Sequence, residues 1–342
     1  MKKEALLYNK LKRNQVQCIL CSHRCKIADQ KFGICGVRQN LAGILYTHVY
    51  AEVIASQSDP IEKKPLYHFL PGTQSFSIAA PGCNFRCGFC QNWQISQLKA
   101  GNGVLFEDHF CPAADTVNAA LSNKCASISY TYTEPTINFE YCYDVSRLAK
   151  EKGLKNIWVT NGFMTPEALK IIAPYMDAAN VDLKFFNEGA YKKICGGSLK
   201  PVLESIKFMR QNNIWVEVTT LVVPGKNDSE KELTQIAQFL AGVDADMPWH
   251  ISKFFPNYKY TSDDPTSEGT LQKAFEIGQK CGLRYIYVGN VYGWGNSTHC
   301  YNCKKLLIKR EGFFIRDNLI ENGNCSFCKA KIPGIFLNGV QK

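Results

Sequence analysis

The chain has 342 residues, 45% apolar and 20% charged, which excludes a disordered polypeptide and allows one large or two ordinary domains. Its net charge is +10, and it carries sixteen cysteines. The N-terminal MKKEALLYNKLKRNQ lacks the apolar h-region of a signal peptide. No apolar run reaches the roughly 18 residues of a membrane span. Secretion and membrane insertion are therefore disfavoured, and the expected location is cytoplasmic. Thiols stay reduced there, so the cysteines read as metal ligands or core residues and not as disulfides.

Three regions follow in chain order. Residues 1–73 form an N-terminal Cys-rich extension with Cys18, Cys21, Cys25 and Cys35 at C-x2-C-x3-C-x9-C spacing. Such a loop can wrap a tetrahedral zinc or an iron–sulfur cluster, with Gly33 and Gly36 easing the turn around Cys35. His23 is expected to face solvent.

Residues 74–292 alternate short apolar runs with helical patterns. Strands are expected at Phe76–Ala79, Ala126–Thr131, Asn156–Thr160, Ala179–Lys184, Ile214–Val223, His250–Phe255 and Arg284–Val288. Between them, Pro135–Lys152 places Ile137, Tyr141, Val145, Leu148 and Ala149 on one stripe. Thr165 caps a helix with Pro166 at its first position, and Asn227-Asp228-Ser229 opens another. The alternation predicts an α/β fold, a parallel sheet either open or closed into a barrel, with functional residues at the carboxyl ends of strands. Residues 293–342 form a C-terminal zinc-ribbon-like extension. Cys300-x2-Cys303 and Cys325-x2-Cys328 there are two knuckles able to supply a tetrahedral S4 site, favoured by zinc and compatible with a single iron. Lys305–Ile308 and Gly312–Arg316 are expected as a hairpin between them.

The chemistry concentrates in Pro81-Gly82-Cys83-Asn84-Phe85-Arg86-Cys87-Gly88-Phe89-Cys90, directly after the first strand of the middle region. Zinc ribbons use two C-x2-C pairs, so a C-x3-C-x2-C triplet fits zinc poorly. An iron–sulfur cluster held by three thiolates keeps one iron open to a ligand. Gly82 and Gly88 let the backbone curl around such a cluster.

This motif resembles the signature of the radical S-adenosylmethionine (SAM) superfamily, in which an aromatic, here Phe89, precedes the last cysteine. The resemblance implies a partial (β/α) barrel and a [4Fe–4S] cluster on Cys83, Cys87 and Cys90. It also implies one-electron cleavage of SAM to a 5′-deoxyadenosyl radical that abstracts a substrate hydrogen. By the same resemblance Phe89 lies beside adenine, while Thr133 and Glu134, in a Y-T-E-P segment where the family has G-G-E-P, meet the SAM amino group. Thr160-Asn161-Gly162, Val181-Asp182-Leu183-Lys184 and the V-V-P-G-K-N-D segment at 222–228 resemble the glycyl-radical-enzyme activase branch. They imply that Asn161, Asp182 and Lys184 face the cavity. His250, a lone histidine on the sixth strand, is a candidate for the cofactor site, with a structural role as its alternative, and Val288 ends the last strand, where the resemblance implies contact with adenine. Y-T-Y-T-E-P-T, W-H-I-S-K-F-F-P-N-Y and both flanking Cys groups together resemble the radical SAM group of the AmmeMemo system. That likeness implies AMMECR1-like and Memo-like partners beside a flavodoxin- or ferredoxin-like one-electron donor.

Two substrate readings compete: a glycyl radical on a partner protein, and a small metabolite or modified macromolecule. The flanking knuckles, which add mass that a minimal activase lacks, favour the second. A non-catalytic nucleic-acid-binding metal protein is the alternative from another class. Lys2, Lys3, Lys10, Lys12 and Arg13 do cluster, but the remaining basic residues are interleaved with acids, which disfavours nucleic acid. Of the isolated Cys111, Cys125, Cys142, Cys195 and Cys281, core packing is expected for all. Cys195, in a glycine loop after Tyr191, is the most plausible exception, as a hydrogen donor.

Overall fold

The computed structural model describes residues 2–98 and 110–337. Its centre is an eight-stranded sheet in sequential order: β1 (Ala55–Pro60), β2 (Gln74–Ala79), β3 (Ser127–Tyr130), β4 (Lys155–Thr160), β5 (Ala178–Asp182), β6 (Trp215–Val222), β7 (Trp249–Lys253) and β8 (Ile286–Gly289). β1 runs antiparallel to β2, and β2 to β8 are all parallel. Six helices fill the crossovers: α1 (Ala113–Ser122), α2 (Phe139–Glu151), α3 (Pro166–Ile172), α4 (Leu199–Gln211), α5 (Glu230–Val243) and α6 (Glu268–Lys280). Among the described residues β1 and β8 do not pair, so the sheet is open.

Local chemistry accounts for these elements. Thr165 caps α3 by accepting from the Ala168 amide, with Pro166 at the first helical position, and Ser229 caps α5 through the Glu232 amide. The apolar strands bury both faces. One face carries Ile128, Trp158, Val181, Val218 and Ile251 against the helices. On the other, Ile61, Leu66, Phe69 and Leu70 cover Ile157, Ala178 and Trp215 at the amino ends of β4 to β6. β1 enlarges the sheet beyond its expected start at residue 74, taking its edge strand from the stretch assigned to the N-terminal extension.

The two cysteine-rich extensions sit at opposite ends. In the C-terminal one, Leu306–Glu311 and Phe314–Asn318 form the expected hairpin. Its core joins Leu307, Ile308, Cys300 and Cys325 to Tyr67, Tyr285 and Tyr287. Buried Arg310 fastens it to the sheet's amino end, donating to the Tyr67 carbonyl at 2.8 Å and to Thr298 Oγ1 at 2.8 Å. The N-terminal extension instead reaches the carboxyl end. Cys21 bridges to Met164, the Ser22 amide donates to the Phe163 carbonyl, and Thr165 Oγ1 donates to the Ile19 carbonyl at 2.7 Å. No helix among the described residues is long and apolar enough to cross a membrane.

Candidate functional site

The loop after β2 brings Cys83, Cys87 and Cys90 to the carboxyl edge of the sheet. Gly82 makes this possible. Its φ of +98° is a backbone region that side chains disfavour, and a Cβ there would lie 2.9 Å from Val37 Cγ1. Gly88 serves close approach: a Cβ would meet the Tyr260 ring at 2.8 Å. The three thiols have unequal surroundings. Burial, followed by the charge of Glu134, pushes Cys83 well above the usual thiol range, and burial raises Cys90, whose sulfur lies 3.2 Å from Ser96 Oγ. Cys87 is pulled down, first by a hydrogen bond with Cys195 and, against its burial, by the Lys184 ammonium.

Several expected residues converge on this loop. Asn161 Nδ2 donates to Asn84 Oδ1 at 2.7 Å and lies 4.0 Å from Cys83 Sγ. Lys184 pairs with Asp182 at 2.8 Å, and their charges act on Cys87. Phe89 is buried between Phe185 and Tyr260, with ring centroids 6.1 and 6.0 Å away. Cys195, on the turn Tyr191–Cys195, is likewise at the loop, its carbonyl accepting from the Arg86 amide at 2.7 Å.

Glu134 is placed differently from the expectation of a free carboxylate awaiting an ammonium. It caps the turn Pro135–Asn138 and accepts four hydrogen bonds: from the Thr136 amide (3.0 Å), Thr136 Oγ1 (2.5 Å), Thr160 Oγ1 (2.7 Å) and the Asn161 amide (2.8 Å). It thereby stitches the end of β3 to the end of β4. Thr133 turns its hydroxyl to the Ala80 carbonyl at 2.7 Å.

Among the described residues no hydrogen bond or ring contact joins His250 or Val288 to the cysteine loop. His250 lies near the amino end of β7, its Nε2 2.6 Å from the buried Glu217 carboxylate and its ring stacked on Tyr287. Glu217 also accepts from the Tyr67 and His68 amides and from Trp215 Nε1. A buried carboxylate needs such donors, and that demand fixes His250. Val288 is buried in the apolar core that packs on the helices. His23 is also corrected: it is half-buried, with Nε2 2.8 Å from the Asn84 carbonyl and its ring edge on Phe163.

Sequence reasoning missed a polar cluster around Tyr132. This residue stands where the resembled motif has glycine, and its φ is +64°. The strain is held by its hydroxyl, which bonds Asp59 and, at 2.6 Å, Gln57 Nε2. Asp59 also takes Lys64 at 2.6 Å and Lys63 at 2.8 Å, and burial lowers Lys64 to about 8. The positive φ follows from the family's glycine, but no local signal gives the pairing with residues 57–64.

The C-terminal quartet forms a compact site. The sulfurs of Cys300, Cys303, Cys325 and Cys328 all lie within 4.8 Å of one another, with Cys300–Cys328 at 3.6 Å and Cys303–Cys325 at 3.7 Å. Lys304 and Lys329, at φ +63° and +61°, turn each knuckle back on itself.

The fold and the cysteine loop define a class. A radical SAM superfamily profile matches residues 77–240, and the chain belongs to that superfamily. It is 43% identical over 334 residues to an uncharacterized protein of Methanocaldococcus jannaschii, covering 96% of this chain and 98% of that one. It is 24% identical over 160 residues to the pyruvate formate-lyase 1-activating enzyme of Escherichia coli, covering 46% of this chain and 65% of that enzyme. Among solved structures, a radical SAM methyltransferase from Sphaerobacter thermophilus shares the fold with a TM-score of 0.50 at 16% identity, over 64% of this chain and 67% of that one. Superfamily members are enzymes that use a [4Fe–4S] cluster and SAM. The loop fits that group: three thiols converge over a backbone that Gly82 alone allows, and the buried Asn84 Nδ2 beside them has no protein partner.

Proposed function

We propose that this chain is a radical SAM enzyme whose Cys83, Cys87 and Cys90 hold a [4Fe–4S] cluster. The observation that carries the reading is the convergence of the three thiols with Asn161 and Lys184 at the carboxyl edge of the sheet. When bound, the cluster and SAM together supply a 5′-deoxyadenosyl radical for hydrogen abstraction, after one electron from a flavodoxin- or ferredoxin-like donor. The chain's residues do the positioning. Phe89, with Tyr260 behind it, offers an apolar wall for the adenine. Glu134 holds the Asn161 backbone in place, and Thr133 and Asn161 present polar groups at the strand ends. Lys184, held by Asp182, offsets the negative charge of thiolates and ligand carboxylate.

The cysteine quartet at the C-terminus suits zinc, because tetrahedral bonds of roughly 2.3 Å give sulfur–sulfur edges near 3.8 Å. Of the two extensions, only the N-terminal one borders the site. The extra mass over the cavity thus favours a small metabolite or modified macromolecule as substrate. The likeness to the pyruvate formate-lyase 1-activating enzyme supports the second reading, activation of a partner protein. AMMECR1-like and Memo-like proteins and a cytoplasmic setting complete the proposal.

The test is anaerobic reconstitution with iron and sulfide, then SAM and dithionite. The wild type is expected to release 5′-deoxyadenosine and Cys83→Ala to release none. Equal yields from the two, or no product from a fully loaded wild type, would overturn the reading.

A further inference from the structure

The four N-terminal cysteines, 48 to 65 residues before Cys83 in sequence, line a small cavity together with Ile137 and Arg38. Cys18 closes the strand Val16–Cys18 and its amide donates to the Cys25 carbonyl at 2.9 Å; Cys21 is pinned by its bridge to Met164. Arg38 is 1% exposed. Its Nη2 meets Glu140 at 2.5 Å, but its Nε and Nη1 have no hydrogen-bond partner. Two buried N–H-bearing atoms without acceptors, on a guanidinium lining a cavity of four thiols, call for an anionic occupant with sulfur acceptors.

Spacing separates the candidates. A single tetrahedral ion draws its sulfurs to edges near 3.8 Å, and the C-terminal quartet has that compactness. Among the described residues, no other group of three or more ligating side chains keeps all its ligand atoms within 4.8 Å, so the N-terminal quartet is wider. The Cys83, Cys87 and Cys90 triplet shares this wider spacing. A four-iron cube sets its cysteine sulfurs farther apart than one ion does.

We propose that Cys18, Cys21, Cys25 and Cys35 hold a second [4Fe–4S] cluster that passes single electrons to the Cys83 loop. Four thiolates leave no iron open, so this cluster transfers electrons and does not bind substrate. Its position suits that role. The Cys35 carbonyl lies 3.7 Å from the Cβ position of Gly82, and His23 bonds the Asn84 carbonyl. The N-terminal cavity therefore adjoins the loop that carries Cys83. A flavodoxin- or ferredoxin-like donor loses one electron, the N-terminal cluster goes from 2+ to 1+, and it returns to 2+ as the electron moves on. The relay, unlike the cluster itself, rests on the function proposed above.

The test starts with the anaerobically purified Cys83→Ala/Cys87→Ala/Cys90→Ala variant. It is expected to keep about four irons and four sulfides per chain. On dithionite reduction it should show an electron paramagnetic resonance signal that SAM does not alter. Anomalous scattering from the wild type at the iron and zinc edges checks the same point without any substitution. Zinc or no metal in the N-terminal cavity would overturn the proposal, whereas iron there and none at Cys83 would refute only the function above. For the relay, Cys18→Ser should lower 5′-deoxyadenosine formation at least tenfold with reduced flavodoxin and leave it unchanged with dithionite. Equal behaviour with both reductants overturns the relay.

Discussion

Replacing Glu134 with glutamine tests whether this residue acts through the strands or directly on a ligand. Its Oε1 accepts three hydrogen bonds and its Oε2 one, from the Asn161 amide at 2.8 Å. In Glu134→Gln the amide oxygen keeps the three donors, and the new NH2 group then faces the Asn161 N–H. One hydrogen bond to a charged group is lost and one buried donor is orphaned, together costing about 2–3 kcal/mol. That should lower Tm by roughly 5 °C. If about half of the loss falls on the placement of Asn161, SAM affinity drops roughly tenfold. Differential scanning calorimetry and equilibrium dialysis of SAM on the reconstituted enzyme read the two effects together. An unchanged Tm with a hundredfold or greater loss of SAM affinity would refute the reasoning, because it would mean that the carboxylate pairs with the ligand and does not stitch β3 to β4.

The other predictions concern separate parts of the molecule. Gly82→Ala, which forces a side chain into a left-handed backbone and onto Val37, should cut iron bound at the Cys83 loop by more than half; iron content in a Cys18→Ser background measures it. Fully buried His68, bonded to the Pro333 carbonyl and the Tyr287 hydroxyl, is lowered by burial to about 4 and stays neutral in the fold. The unfolded chain takes up its proton near pH 6.5, so the stability His68 supplies is present above that pH and is lost as pH falls towards 4, by up to about 3 kcal/mol. Urea denaturation at pH 7 and pH 4.5 should show this slope in the wild type and a shallower one in His68→Asn. Cys303→Ser should release the C-terminal metal and lower Tm without reducing SAM binding, since its extension docks at the far end of the sheet; equal loss of SAM binding would contradict that placement.

Much of this architecture is legible where local chemistry and final environment agree. The runs around Ile128, Ile157, Val181 and Val218 are apolar because both faces of those strands are buried, so they announce themselves. Thr165 and Ser229 cap helices through amides only three residues away, which a sequence shows directly. The same holds for both knuckle pairs and the cysteine triplet. What was not legible depends on partners far along the chain. β1 reads Ala-Ser-Gln-Ser-Asp-Pro, an edge strand whose polar residues look like a loop until β2 pairs with it. His250 reads as a lone histidine on a strand, but its site is decided by Glu217, a carboxylate that had to collect donors once buried. Arg38 and Glu140 lie 102 residues apart, and no local pattern joins them.

The two extensions look alike in sequence, each four cysteines on short turns, yet the fold gives them different tasks. The C-terminal quartet closes a hydrophobic plug under the amino ends of the strands, where Arg310 and the Tyr287 hydroxyl spend their hydrogen bonds within the protein. A metal there can add stability but lies on the wrong side of the sheet to touch a ligand held at the carboxyl edge. The N-terminal quartet borders the loop that carries Cys83, and its buried arginine keeps two nitrogens unspent. A purely structural site would be expected to satisfy those nitrogens within the chain, because each unmet donor costs about 1–3 kcal/mol. Leaving them open makes sense when the occupant itself supplies the acceptors. The shared count of four cysteines therefore hides a division of labour that is set by which end of the parallel sheet each extension covers.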